Sequence, residues 1–108
     1  MIALVEHHSP AIADACRRFG VQNLDVFGSA ADGTFDPSHS DIDFLVAFDP
    51  QAGGSLFHRY FDLQEALEQL FGRKVDLVSA AALSNPFYVD AVNRSRQPIY
   101  AAPRTQTA

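Results

Sequence analysis

Ser40-Asp41-Ile42-Asp43-Phe44-Leu45-Val46 sets two carboxylates at alternate positions and then runs apolar through Phe48. A polar start followed by an unbroken apolar run is the pattern of a central strand covered on both faces, with its carboxylates at the sheet edge. Side chains alternate across a strand, so Asp41 and Asp43 are expected on one side, with backbones roughly 7 Å apart. Ile42 and Phe44 then face the core. Upstream, Val26-Phe27-Gly28-Ser29 ends a short strand in a small-residue turn, and eleven residues separate Ser29 from Asp41.

The elements around these two stretches follow from caps and periodicity. Ser9-Pro10 reads as a capping hydroxyl followed by proline in the first turn, and Gly20 as a stop, giving a helix over 10–19. Residues 22–27 read as a strand with Leu24 and Val26 on one face and Phe27 on the other. Residues 32–40 carry Gly33, Pro37 and several hydroxyl side chains and are expected as loop. The strand over 41–48 ends at Asp49-Pro50. Residues 51–55 form a loop before a helix over 56–71, where Tyr60, Leu63, Leu67, Leu70 and Phe71 recur at helical spacing. Lys74-Val75-Asp76-Leu77-Val78 is a third strand, Asn85-Pro86 starts a helix through 94, and Ile99-Tyr100 adds a little strand. The expected fold is α/β of the α+β kind: a small mixed sheet with helices packed on one face, in a single domain over 1–102 with a flexible tail over 103–108.

Composition narrows the function classes. With 108 residues and 47% apolar side chains the chain can build one core, not two. A net charge of -5 argues against tight sequence-independent nucleic-acid binding, which draws its affinity from Lys and Arg on phosphates. Cys16 is the single cysteine, read as a buried helix residue, so neither an internal disulfide nor a cysteine-rich zinc site is expected. No stretch approaches the roughly 18 apolar residues of a membrane span, and no signal-peptide pattern is present, so a cytoplasmic location is expected.

Chemistry is concentrated in three acids and one turn. Two carboxylates held close repel unless a proton or cation lies between them, and an oxygen-only site with few ligands suits Mg²⁺. Asp76 sits mid-strand between Val75 and Leu77, a costly place unless the carboxylate is solvated, paired or liganded. If its strand neighbours that of Asp43, a third metal ligand is in place, and three carboxylates can hold two Mg²⁺ ions about 4 Å apart. Asp76 would then lie on the nucleophile side. Gly28 lets backbone approach a phosphate without a Cβ in the way, and the Ser29 hydroxyl and nearby N–H groups can donate to phosphate oxygens. Alone, Asp-x-Asp is more often a solvated strand edge and Gly-Ser merely a turn; together they point to magnesium-assisted phosphoryl or nucleotidyl transfer.

These motifs resemble the nucleotidyltransferase superfamily related to DNA polymerase beta, most closely its minimal nucleotidyltransferase branch, the antitoxin partners of HEPN-domain toxins. The resemblance rests on Gly28-Ser29, Ser40 to Val46 and Lys74 to Val78, and runs from about Val21 to Tyr100, including Asn85-Pro86-Phe87 and Pro98-Ile99-Tyr100. It implies Asp41, Asp43 and Asp76 as catalytic metal ligands, Gly28, Ser29 and Ser40 at the nucleotide, two Mg²⁺ ions, and ATP as substrate. It also implies AMP transfer to a tyrosine of a HEPN toxin, in a hetero-oligomer with that toxin. Two departures stand out. The family commonly carries Ala-Arg-Gly where this chain has Ala31-Asp32-Gly33, an anion for a cation, and the spacer to Asp41 is one residue longer than usual.

The remaining polar residues carry less. His7 and His8 read as a solvated stretch, His58 as exposed, and His39 as a loop residue at the rim of the site. Arg73 or Lys74 could meet phosphate from the strand end. Phe57 and Phe61 widen the apolar arc of the 56–71 helix beyond what one core contact needs, a candidate surface for the toxin or for self-association. The leading expectation is a Mg²⁺-dependent protein adenylyltransferase. The alternatives are an antitoxin acting by binding alone, which Asp32 would favour, and a catalytic subunit whose acceptor is a small molecule or RNA.

Overall fold

Ile42–Phe48 forms β2, an inner strand of a four-stranded sheet ordered β3-β2-β1-β4. The computed structural model describes residues 1–103; beyond Pro103, the tail expected over 103–108 lies outside the described residues. Strand β1 (Val21–Phe27) runs antiparallel to β2 and to β4 (Gln97–Ala101), while β3 (Val75–Ser79) runs parallel to β2. A parallel pair needs a crossover, and the helix between β2 and β3 supplies it. In chain order the helices are α1 (Ala3–His7), α2 (Ser9–Arg18), α3 (Ser29–Asp32), α4 (Leu56–Phe71) and α5 (Pro86–Ser95).

The period-2 pattern sorts the sheet into two faces. Leu24, Val26, Ile42, Phe44, Val46, Val75 and Leu77 enter the main core, where Ile12, Cys16, Leu63 and Leu67 of α2 and α4 meet them. This is the expected mixed sheet with helices against one face. Helix α5 departs from the expectation of one covered face: it crosses to the opposite face, where Val92 is buried against Phe27 and Leu45. Asp43 and Asp76 share that second face, because they alternate with core residues on their strands. Among the described residues no helix is long and apolar enough to cross a membrane.

Helix α4 spans the expected 56–71, and its ends are closed locally: the Ser55 hydroxyl accepts from the His58 N–H, and Gly72, at φ 64°, closes the last turn. Its side chains also complete the edge of β3. The Tyr60 hydroxyl donates to the Leu77 carbonyl, Gln64 Nε2 donates to the Val75 carbonyl at 3.3 Å, and the Val75 N–H donates to Glu68 Oε2 at 3.1 Å. Residues four apart stack along one helix stripe, so 60, 64 and 68 cap backbone groups that an edge strand leaves open.

Two expectations fail at the N-terminal side. Ser9 is not the cap of α2, because α1 runs directly into it and His8 occupies the cap position without a side-chain cap bond. His8 is not solvated either: its Nδ1 donates to the Leu4 carbonyl at 2.8 Å, and its ring packs on Phe71 with centroids 5.1 Å apart. Cys16 is buried as expected, and burial pushes its thiol up to about 12.

Candidate active site

The end of β1 and the starts of β2 and β3 meet on the second face of the sheet. Phe27 lies directly across from Asp43, and Asp43 directly across from Asp76, in adjacent pairs of the ladder. The condition posed for Asp76, a strand beside that of Asp43, is therefore met. Asp76 is exposed because β3 is an edge strand, so solvation relieves the cost of its mid-strand position. Asp41 lies just ahead of β2 rather than within it. Continuing the parallel register by one step sets it beside Lys74, whose ammonium lies 3.7 Å from the Asp41 carboxylate.

Electrostatics single out Asp43. Burial first, then the negative charges of Asp76 and Asp41 and contact with the Asp76 carboxyl, push its pKa up from 3.8 to about 6. A raised carboxyl between two others is a place where positive charge is missing. Among the described residues no three His, Cys, Asp or Glu side chains stand close enough to hold an ion as they are. The donor set nevertheless fits a hard cation: it is all oxygen, its central carboxyl is destabilised by its neighbours, and the space beside it is kept open.

Gly28 keeps that space open. Its backbone sits at φ 69°, ψ −146°, and a Cβ there would stand 2.7 Å from Asp43 Oδ2. Only glycine occupies that conformation without strain, and only glycine leaves the carboxylate room. The Gly28 carbonyl accepts from Ala31 and Asp32, each at 3.0 Å, starting the single turn of α3. The N–H groups of Ser29 and Ala30 precede the first bond of that turn, so helix geometry gives them no partner within it. The Gly28 N–H itself donates to Ser95 Oγ at 2.9 Å, a support from the far end of α5 that no local sequence signal marks.

The loop to Asp41 is self-bonded. Asp32 accepts from the Thr34 N–H at 2.9 Å and the Thr34 hydroxyl at 2.6 Å, bonds that hold its carboxyl below the usual range. Asp32 is thus ionised and tied to its own turn. Ser40 Oγ accepts from the Asp36 N–H at 3.0 Å, leaving its proton to donate elsewhere. His39 is exposed and paired with Asp36 at 3.1 Å. Arg73 turns away from the site, donating to the Pro37 carbonyl at 2.9 Å and stacking over Phe35.

Helix α5 frames the other side. Asn85 Oδ1 caps its start by accepting from Phe87 and Tyr88, and the Tyr88 ring meets Phe27 edge-on with centroids 6.3 Å apart. At its end, Ser95 holds Gly28, and Arg96 Nε donates to the buried Asp25 carboxylate at 2.8 Å.

A mixed sheet that lines up carboxylates beside a glycine turn defines a class: small α+β domains suited to transferring phosphorus-bearing groups. The nucleotidyltransferase domain family model matches residues 10–99, further toward the N-terminus than the motif match and ending one residue before Tyr100. A candidate protein adenylyltransferase of Methanocaldococcus jannaschii is 34% identical over 84 residues, 78% of this chain and 79% of that protein. The protein adenylyltransferase MntA of Thermococcus cleftensis is 41% identical over 68 residues, 63% of this chain and 65% of that protein. A solved candidate minimal nucleotidyltransferase superposes with a TM-score of 0.73 at 33% identity, covering 90% of this chain and 96% of that one. A toxin–antitoxin crystal structure with AMP-PNP shares the fold at a TM-score of 0.67 and 22% identity, over 87% of this chain and 73% of that one. The chain belongs to the nucleotidyltransferase domain family, in its minimal nucleotidyltransferase branch.

Proposed function

We propose that this nucleotidyltransferase moves AMP from ATP to a tyrosine hydroxyl of a HEPN-domain toxin and so acts as its antitoxin. The observation carrying the reading is the direct apposition of Asp43 and Asp76 across a parallel strand pair, next to a turn that only glycine can make. Relatives described as protein adenylyltransferases, and toxin–antitoxin neighbours of the same fold, support the donor and the partner.

Asp41, Asp43 and Asp76 would hold Mg²⁺, which when bound supplies the positive charge that a triphosphate and its departing pyrophosphate require. Gly28 lets the triphosphate approach the backbone, and the Ser29 hydroxyl and free N–H groups of the turn donate to its oxygens. Ser40 retains a proton for the same use. Asp76, solvent-facing, accepts the proton of the incoming tyrosine hydroxyl as its oxygen attacks the α-phosphorus and pyrophosphate leaves. Lys74 offsets one of the three negative charges.

A second reading, neutralisation by binding alone, is favoured by Asp32, an ionised carboxylate in the loop after the glycine turn, where the motif resemblance implies arginine. Incubation with α-labelled ATP, Mg²⁺ and the toxin encoded alongside separates the two. Label on a toxin tyrosine, lost in Asp43→Ala, supports transfer. Neutralisation that survives Asp43→Ala without any label supports binding alone, and label appearing only on a small molecule or RNA overturns both.

A further inference from the structure

Of the three tyrosines in the chain, two have committed hydroxyls or surroundings: Tyr60 donates to the Leu77 carbonyl, and Tyr100 is buried in the main core. Tyr88 differs. It is 40% exposed, its hydroxyl has no hydrogen-bond partner among the described residues, and it lies on the face of the sheet that carries the carboxylates. Its ring rests on Phe27, the residue paired across the ladder with Asp43. The strut presenting it is fixed at both ends, by the Asn85 cap at the first turn and by the Ser95 and Arg96 bonds at the last.

We propose that Tyr88 is an adenylylation site of this chain itself, modified in cis by its own carboxylate site when no acceptor partner is bound. This rests on the adenylyl-transfer reading above. The chemistry is that of the intermolecular reaction: the Tyr88 oxygen forms a bond to the α-phosphorus of ATP, the bond from that phosphorus to the bridging oxygen breaks, pyrophosphate departs, and the phenolic proton passes to Asp76. In the metal-free chain, burial and then the charges of Asp76 and Asp43 hold the Tyr88 phenol above its usual pKa. Holding the nucleophile and the α-phosphorus on one face of a single chain makes the step effectively unimolecular. Once modified, Tyr88 carries an adenylate against Phe27, on the same face as Asp43, where it obstructs a further ATP.

The test incubates the purified full chain with ATP and Mg²⁺ and follows AMP addition by intact mass and peptide mapping, with and without the toxin. The expected result is AMP on Tyr88 in the chain alone, with a rate constant independent of protein concentration, and no addition in Tyr88→Phe or Asp43→Asn. A rate constant rising with protein concentration overturns the cis route, and addition persisting in Tyr88→Phe overturns the assignment to Tyr88. Toxin labelled with Tyr88 unmodified in the chain alone overturns this inference and leaves the adenylyl-transfer reading standing. If neither chain is labelled, both fall.

Discussion

Replacing Asp43 by Asn should stabilise the metal-free protein while abolishing transfer. The Asp43 carboxyl has a pKa of about 6 in the folded chain against 3.8 as a free side chain. Between those values the folded state holds more protons than the unfolded one, so stability is lost as pH rises from about 4 through about 6, and the penalty stays constant above. A shift of about two units corresponds to at most about 3 kcal/mol, and solvent reaching a half-buried carboxyl reduces this to about 1–2 kcal/mol. For a domain of this size each kcal/mol moves Tm by about 4–8 °C. Asn keeps the shape, carries no charge, and can donate its amide to the Asp76 carboxylate. Thermal unfolding in chelator at pH 7.5 should therefore place Asp43→Asn above the native chain by several degrees, and the difference should vanish near pH 4. Adding Mg²⁺ should raise the Tm of the native chain more than that of the variant. A variant melting at or below the native chain at pH 7.5 would refute the claim that Asp43 is held against like charge.

Other substitutions probe the supports. Gly28→Ala sets a Cβ 2.7 Å from Asp43 Oδ2 at a positive φ, and should lower stability by about 1–3 kcal/mol and reduce AMP transfer, read by unfolding and label incorporation. Arg59, 8% exposed, donates to the carbonyls of Phe19, Gly20 and Asp49; Arg59→Met strips all three and should cost about 2–4 kcal/mol in denaturant unfolding without touching the carboxylates. Arg96→Ala leaves the buried Asp25 without its cation and should cost about 3–5 kcal/mol, whereas Arg96→Ala with Asp25→Leu should recover much of it in a double-mutant cycle. Ser95→Ala removes the partner of the Gly28 N–H, and should raise KM for ATP in steady-state kinetics while lowering stability by only about 1 kcal/mol in denaturant unfolding.

What the sequence revealed follows from which forces are local. Helix α4 was legible over 56–71 because its burial depends on a repeat within one segment; the Ser55 cap that fixes its first residue was not read. Strand β2 was readable for the same reason, apart from Asp41, whose place outside the strand is set by the loop before it. The pairing of β2 with β3 was not readable, since no residue in either strand specifies its neighbour; the placement of Asp76 had to be posed as a condition. Arg59 was invisible for a stronger reason. It lies among aromatic residues of α4, and its burial depends on three carbonyls outside that helix, two of them about forty residues away. Ser95 and Tyr88 were missed because α5 crosses to the second face, a choice that depends on Val92 meeting Phe27 and Leu45.

The uneven cover of that second face determines how the site can be approached. Helix α5 lies over Phe27 and Leu45, so access from the β1 side is taken by Val92 and Tyr88. On the β3 side the sheet ends, Asp76 is exposed, and the Val75 N–H and the carbonyls of Val75 and Leu77 are already bonded to α4. A strand added to this edge would have to displace those three bonds to α4. A partner can bring a side chain across the edge to Asp76 without displacing any element of the fold. A tyrosine long enough to reach over one strand meets that requirement, and the backbone carrying it stays outside the sheet.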